Sequence, residues 1–487
     1  MAQEGRMLKR AFGLACLVLS ACATAPEPGA AAHWQALTRM DVDAAYQQLL
    51  EDHPATSRTL NDTEFRARLD AGHTLALRRA VQVTNFDGYA ATLSGLAWSV
   101  GDKHVYSRPL VQSDAVQWAG IVIGRRGEHY VVVEHEAGSA PSLVGARLLS
   151  CDGVLVDTFA RDKLGGFRAV WSIEAQRIQT APFLLIDDGN PFVLRPDACV
   201  FERNGETMET PLSWRRITRA DLRPRALRAA NRGAAGYGVR PFSGGLWIAL
   251  QGLQSDAPAV VAAARAQTEQ LRAAPIVVLD MRGNSGGSSS YGRELARIVF
   301  GDARVEAMLE ADGDDTCSSL WRASPRNLAR ARQYIEILNL GPQAMADLRQ
   351  QAEETAAALA AGQDFEGDPF CGDAGEPSTP ASPPPADARG RVVVLTDNAC
   401  FSSCLLVTDD FRTLGALHVG QSTDANTHYS EVREDRLPSG LSMFSTLQAM
   451  MPSAPPQIGP FEPALRYDGD MSDSTALEAW VAEVAAR

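Results

Sequence analysis

The chain of 487 residues is predicted to be a multidomain α/β protein (α+β in the arrangement of its domains), on three observations. Two apolar runs of strand character, one opening at Ile276 and one at Arg391, each stop at a turn of small residues and lead into helix-prone sequence. Residues 33–110 carry apolar side chains at helical spacing. From Trp118 the pattern changes to short strands broken by glycine turns. The length is enough for two or three domains and a sizeable core, and the apolar fraction of 45% is that of a globular protein.

In chain order, Arg6, Lys9 and Arg10 precede an apolar stretch from Ala11 to Leu19, and LSAC ends at Cys22. This is the pattern of a secretory signal over residues 1–22, too short to span a bilayer. LSAC resembles a bacterial lipobox, which implies that Cys22 is acylated and that lipid alone holds the protein to the membrane. Ala23, in place of the aspartate of an inner-membrane retention signal, implies the periplasmic face of the outer membrane. A plain signal cleaved at a nearby alanine is the alternative.

Residues 33–110 read as an N-terminal helical domain. Val42, Ala45, Leu49 and Leu50 form one face of a first helix, and two more follow around Phe65 to Arg79 and Phe86 to Ser99. Residues 115–215 read as a β domain. GSAP followed by GARLLSCDGVLVD resembles the strand–turn–strand core of a PDZ-like domain, a class that binds extended peptides by adding them to a sheet edge. A β subdomain without a peptide groove is the alternative.

Residues 235–300 and 390–487 carry the two strand–turn–helix units. In IVVLDMRGNSGG, Gly283, Gly286 and Gly287 can take positive φ and leave main-chain N–H groups open to a substrate oxygen, although such a turn also binds phosphate or closes an αβ connection. In RVVVLTDNACFSS, the strand leads to Ser402 at the start of an amphipathic helix. Unpaired N–H groups and the positive end of the helix dipole favour negative charge on its oxygen there. Serine is also a preferred N-cap, so a purely structural role competes. Between these units, residues 301–389 read as an insertion of two helices, SLWRASPRNLARARQYIEIL and PQAMADLRQQAEETAAALAAG, followed by a Pro/Ser-rich linker. Placed between the units, the insertion is expected to form a helical cap near the site.

Together DMRGNSGG and CFSS resemble the turn and the T/C-x-S nucleophile of the tail-specific (C-terminal processing) serine peptidases. LAWSVGDKHVYSRP, GLWIALQGL, GALHVGQST and GPFEPALRYDGD follow that family's further motifs in order. The resemblance implies a crotonase/ClpP-like ββα catalytic core, a polypeptide substrate and a Ser402 nucleophile. Many members use a lysine downstream of the serine, but no lysine follows Lys163, so the base is a histidine. His104, in GDKHV, matches the histidine of the tricorn-like branch, and His428 is the alternative base. That branch orients its histidine with a glutamate, where this chain has Gln457. Glu462 is expected to substitute, with Glu431, Glu434 or a main-chain carbonyl as alternatives. The N–H groups of Ser403 and of the turn at Ser285 and Gly286 are expected to hold the oxyanion. Asp280 and Arg282 are expected to order the turn.

Such acyl transfer requires no metal or organic cofactor. A peptidase-like scaffold that binds without cleaving, or an esterase, uses the same residues differently. The net charge of −13 argues against nucleic acid. Six cysteines remain beyond the signal. Cys317 with Cys371 is the expected bridge, stapling the insertion, while Cys400 and Cys404 are expected to be reduced core residues on one helix face.

Overall fold

The computed structural model describes residues 29–136, 142–312, 319–338, 341–370 and 383–487. Cys22, Cys317 and Cys371 lie outside them. Among the described residues no helix is long and apolar enough to cross a membrane. The architecture is α/β and multidomain.

The two strand–turn–helix units meet because their strands are neighbours in one sheet. Its six strands run in the order Tyr237–Phe242, Gly245–Leu250, Ile276–Asp280, Arg391–Thr396, Leu417–Gly420 and Leu465–Arg466. The first pair is antiparallel and the rest are parallel. Ile276 lies opposite Arg391 and Asp280 opposite Leu395, so both turns leave the same end of the sheet side by side. All five residues of Ile276–Asp280 are buried, as a continuous apolar run in a parallel sheet requires. One face is covered by helices Ala257–Arg265, Ser290–Phe300 and Ser403–Thr413, through Leu295, Val299, Val407 and Phe411. Helix Ser474–Ala485 covers the other, with Leu477 and Val481 against Trp247, Val278 and Val393. Each such side chain contributes roughly 1.5–3 kcal/mol on burial.

The N-terminal helices span Ala31–Asp52, Thr63–Ala80 and Phe86–Ser99. The second starts at Asp62, whose carboxylate accepts from Phe65 N, and the third at Asn85, which accepts from Gly88 N. Caps of this kind contribute about 1 kcal/mol each. Their apolar cluster is completed from far along the chain: Phe444, Leu447 and Met450 join Leu49, Phe65, Leu93 and Leu96. These residues belong to the hairpin of Tyr429–Arg436 and Ser442–Met450, which leaves the catalytic segment to pair with Ser107–Pro109 and Leu320–Trp321. Residues 33–110 and 390–487 therefore interleave instead of forming two separate bodies.

Helices Pro325–Ile337 and Pro342–Ala360 make up the insertion, preceded by helix Asp302–Asp312. The insertion is seated on the N-terminal helices. Asp52, fully buried, accepts from Ser324 Oγ at 2.7 Å, Arg326 Nε at 2.7 Å and the buried Arg433 Nη2 at 2.6 Å. Asp364 accepts from Thr59 N and Arg58 Nη2. Among the described residues, no hydrogen bond joins helices Pro325–Ile337 and Pro342–Ala360 to the Ser402 segment, so the expected cap over the site gains no support from these contacts.

The β unit is an antiparallel sheet of Ile121–Arg126, His129–His135, Arg147–Cys151, Ala198–Arg203 and Glu206–Pro211, with helix Val156–Leu164 packed on it through Phe159 and Leu164. Cys151 and Cys199, directly opposed in register, form a disulfide. Cys400 and Cys404 form a second one, which corrects the expectation that they are reduced. Both are fully buried as expected. Cys400, however, lies in the turn before the helix, not on it, and this brings the two Cα atoms to 5.3 Å, within reach of a bridge.

Candidate active site

The two turns are joined by a buried carboxylate. Asp397, which follows the strand Arg391–Thr396, accepts from Gly283 N at 3.1 Å, Gly233 N at 3.1 Å and Ala399 N at 3.0 Å. Its burial raises its pKa despite these bonds and the Arg232 charge. Asp280 takes Arg282 Nη2 at 2.7 Å and Trp247 Nε1 at 3.1 Å, and Arg282 Nη1 reaches Met471 O at 2.6 Å. Asp280 and Arg282 thus order the turn. Asn284 holds it from within, donating to Leu250 O at 2.9 Å and accepting from Gly286 N at 2.8 Å, while its main-chain O takes Phe401 N at 3.3 Å.

Ser402 stands in the N-cap position of helix Ser403–Thr413, but its side chain makes no capping bond. Its backbone is left-handed, with φ 59° and ψ −133°. A non-glycine residue in such a conformation is strained by of order 1–3 kcal/mol, and strain of this kind clusters at functional sites. The purely capping role is therefore set aside. Gly286 packs against this serine so closely that a Cβ there would lie 2.7 Å from Ser402 Cβ and 3.1 Å from its Oγ.

His104 reaches the same place from the loop after helix Phe86–Ser99. Its ring lies over Phe401, the residue before Ser402, with centroids 4.4 Å apart. Nδ1 is 2.9 Å from Asp102 Oδ1, and Asp102 also accepts from His104 N at 2.8 Å, Thr427 N at 3.0 Å and Thr427 Oγ1. Burial opposes the Asp102 charge, but the adjacent imidazole and these donors outweigh it and hold the carboxyl well below the usual range. With Nδ1–H donated to a carboxylate, Nε2 carries the lone pair and can accept a proton.

The expected orienter Glu462 lies elsewhere, accepting from Ser422 Oγ and from Arg466 Nη2 at 3.1 Å. Glu434 is paired with Arg108 at 2.8 Å. Glu431 has φ 60° in the hairpin strand and its pKa is raised by burial, with the His104 charge pulling it back, but among the described residues it makes no hydrogen bond to the ring; Gln457 donates to Gly459 O. Asp102 is the partner that sequence reasoning missed, although it stands two residues before His104 in the same GDKH segment. His428 is packed edge-on to Tyr429 at 4.4 Å in the hairpin, and burial lowers its pKa. Among the described residues its Nδ1 has no hydrogen-bond partner, and neither its ring nor that of His104 is hydrogen-bonded to Ser402; His104 is preferred for its carboxylate partner and its packing on Phe401. Of the expected oxyanion donors, the Gly286 N–H is committed to Asn284 Oδ1. Among the described residues the N–H groups of Ser285, Gly287 and Ser403 have no partner. Lys103 adds a cation beside Phe401, 4.7 Å above its ring, but its Nζ is held by Asp424 at 2.8 Å and Gln179 at 3.0 Å.

A serine hydroxyl, an imidazole fixed by a carboxylate and open amides at a glycine turn form a constellation for acyl transfer. Residues 246–454 match the model of peptidase family S41. Over that stretch, less than half of the chain, the sequence is similar to the family. The chain is a serine-type peptidase, a hydrolase of polypeptides. Its fold is similar to that of mature CPAF in complex with lactacystin, with a TM-score of 0.59 at 13% identity over 93% of this chain and 98% of that one. A second structure of mature CPAF gives 0.56 at 12% identity over 93% and 97%. No curated protein sequence matches the chain.

Proposed function

We propose that this peptidase is a periplasmic lipoprotein, anchored through Cys22 to the outer membrane, that cleaves extended or unfolded polypeptides by a Ser402/His104 acyl-enzyme mechanism with Asp102 as orienter. The observation that carries the reading is the placement of His104, its Nδ1 on Asp102 and its ring on Phe401, beside an uncapped Ser402.

In this mechanism Ser402 Oγ gives its proton to His104 Nε2 and attacks the peptide carbonyl carbon. The oxygen takes the negative charge and is held by Ser403 N–H together with an open amide of the turn, Ser285 or Gly287. Collapse of the adduct breaks the C–N bond, and the imidazolium returns the proton to the leaving amine. Water, deprotonated by the same imidazole, then hydrolyses the ester and frees Ser402. Asp102 stays ionised throughout, holding the ring and stabilising the imidazolium. Gln457 in place of the branch's glutamate would favour a non-cleaving scaffold, and the carboxylate of Asp102 on the His104 ring weighs against that reading.

A fluorophosphonate probe is expected to modify Ser402, and Ser402→Ala is expected to abolish both the adduct and cleavage of an unfolded protein. Retained cleavage by Ser402→Ala sinks the reading. The address is checked separately: labelled palmitate should enter the wild-type chain and not Cys22→Ala, with the wild type fractionating with outer membrane.

A further inference from the structure

Ser402 keeps its left-handed backbone only if its surroundings over-determine it. On one side, Cys400 N donates to Asp397 O at 3.1 Å, and Cys400 O accepts from Asp424 N at 3.0 Å. On the other, Leu405 N donates to Ser402 O at 2.8 Å and Ser403 Oγ to Gly287 O at 2.6 Å. Across the serine runs the Cys400–Cys404 disulfide, with both residues fully buried. Ser402 is the middle residue of the loop it closes.

We propose that this bridge is a clamp on the nucleophile, and that Cys400 and Cys404 are positioning residues for acyl transfer; the proposal rests on Ser402 being the nucleophile. A bridge between residues four apart in sequence closes a very short loop and restricts the unfolded chain little. Cys151–Cys199, with a separation of 48, closes a far longer one. The main consequence of the short bridge is therefore local. It ties the strand-side turn to the first turn of helix Ser403–Thr413, so the Ser402 hydroxyl cannot rotate away as the helix start frays. Near-attack geometry is sensitive to displacements of this size. The bridge forms when the two thiols pass two electrons and two protons to a disulfide oxidant by thiol–disulfide exchange, and a dithiol reverses it.

The test uses the full chain exported under oxidising conditions, comparing wild type, Cys400→Ala/Cys404→Ala, and Cys151→Ala/Cys199→Ala as control. Read out are the rate of fluorophosphonate modification of Ser402, kcat and KM on an unfolded polypeptide, and the thermal midpoint. The Cys400/Cys404 variant is expected to lose about tenfold or more in modification rate and kcat, with KM within about twofold. The control pair is expected to keep its modification rate while losing more thermal stability. If the Cys400/Cys404 variant does not fold, wild type is reduced with a dithiol, mapped for free Cys400 and Cys404, and assayed before and after reoxidation. The same loss and its recovery are expected. Modification rate and kcat within twofold of wild type, in the variant or in the reduced protein, overturn the clamp. No adduct on Ser402 in wild type overturns the nucleophile assignment and the clamp with it.

Discussion

Asp102 decides what His104 can do. Its two oxygens are divided: Oδ1 faces the ring Nδ1, and Oδ2 takes the Thr427 N–H at 3.0 Å. An asparagine can accept from Thr427 with its oxygen, but its amide N–H₂ then faces Nδ1. That forces the ring into the tautomer protonated at Nε2, which cannot take a proton from serine. Asp102→Asn is therefore expected to lower kcat by about 10²- to 10⁴-fold with little change in KM, and also to lower the thermal midpoint, because the amide meets the His104 N–H that Oδ1 accepts at 2.8 Å. A change confined to KM would point to a substrate-binding role instead. In the direction of acid, the same carboxyl, held ionised by its partners, stays charged well below the ordinary range for aspartate.

At the level of the element, the turn after Ile276–Asp280 is shaped to fit against the Ser402 segment, and glycine is needed where the two touch. Gly286 has φ +102°, and an added Cβ would lie 2.7 Å from Ser402 Cβ. Gly286→Ala is expected to push the hydroxyl off its line and lower kcat by about 10²-fold, because misplacement near 1 Å costs roughly that much. Stopped-flow acylation by an activated ester reads this directly, and acylation at the wild-type rate would show that the contact is not limiting. Asn284, holding both Gly286 N and Leu250 O, keeps the turn closed during such a change.

At the scale of the whole molecule, the N-terminal helices and the Tyr429–Arg436/Ser442–Met450 hairpin share a core, and His53 is sealed within it. Its ring stacks on Phe65 at 4.3 Å and meets Tyr429 edge-on at 4.8 Å. Burial lowers its pKa from 6.5 to about 3. Above pH 6.5 neither folded nor unfolded chain protonates it, so its contribution to stability is full. As pH falls below 6.5 the unfolded chain takes a proton that the folded one refuses, and stability declines until about pH 3, where both are charged. At about 1.4 kcal/mol per pH unit this window is worth on the order of several kcal/mol. Asparagine can replace the Nδ1 acceptor that holds Ala55 N without titrating. His53→Asn should thus show a flatter fall of urea midpoint between pH 6.5 and 4 than wild type, and parallel curves would remove His53 as the cause.

Ser402, the glycine turn and His104 could be singled out in the sequence because each is carried by local sequence: an apolar strand, small residues at the turn and a short flanking motif. Which carboxylate meets His104 was not. Asp102, Glu431, Glu434 and Glu462 are chemically equivalent along the chain, and only packing separates a buried acid bonded to the ring from Glu431, which feels the His104 charge without a hydrogen bond to it, and from Glu434 and Glu462, which are paired with arginines. The bridge between Cys400 and Cys404 was hidden for a related reason. Helical spacing reports a shared face, but the backbone path of the turn sets whether two sulfurs meet. By itself the sequence determined the strand–turn–helix units and the kind of chemistry they support, since backbone preference and burial pattern act over a few residues. The tertiary structure alone decided the pairing of distant partners: Asp102 with His104 beside Ser402, and the late hairpin with the N-terminal helices. Those choices depend on apolar surface and buried charge, which are satisfied only when separate stretches of chain come together.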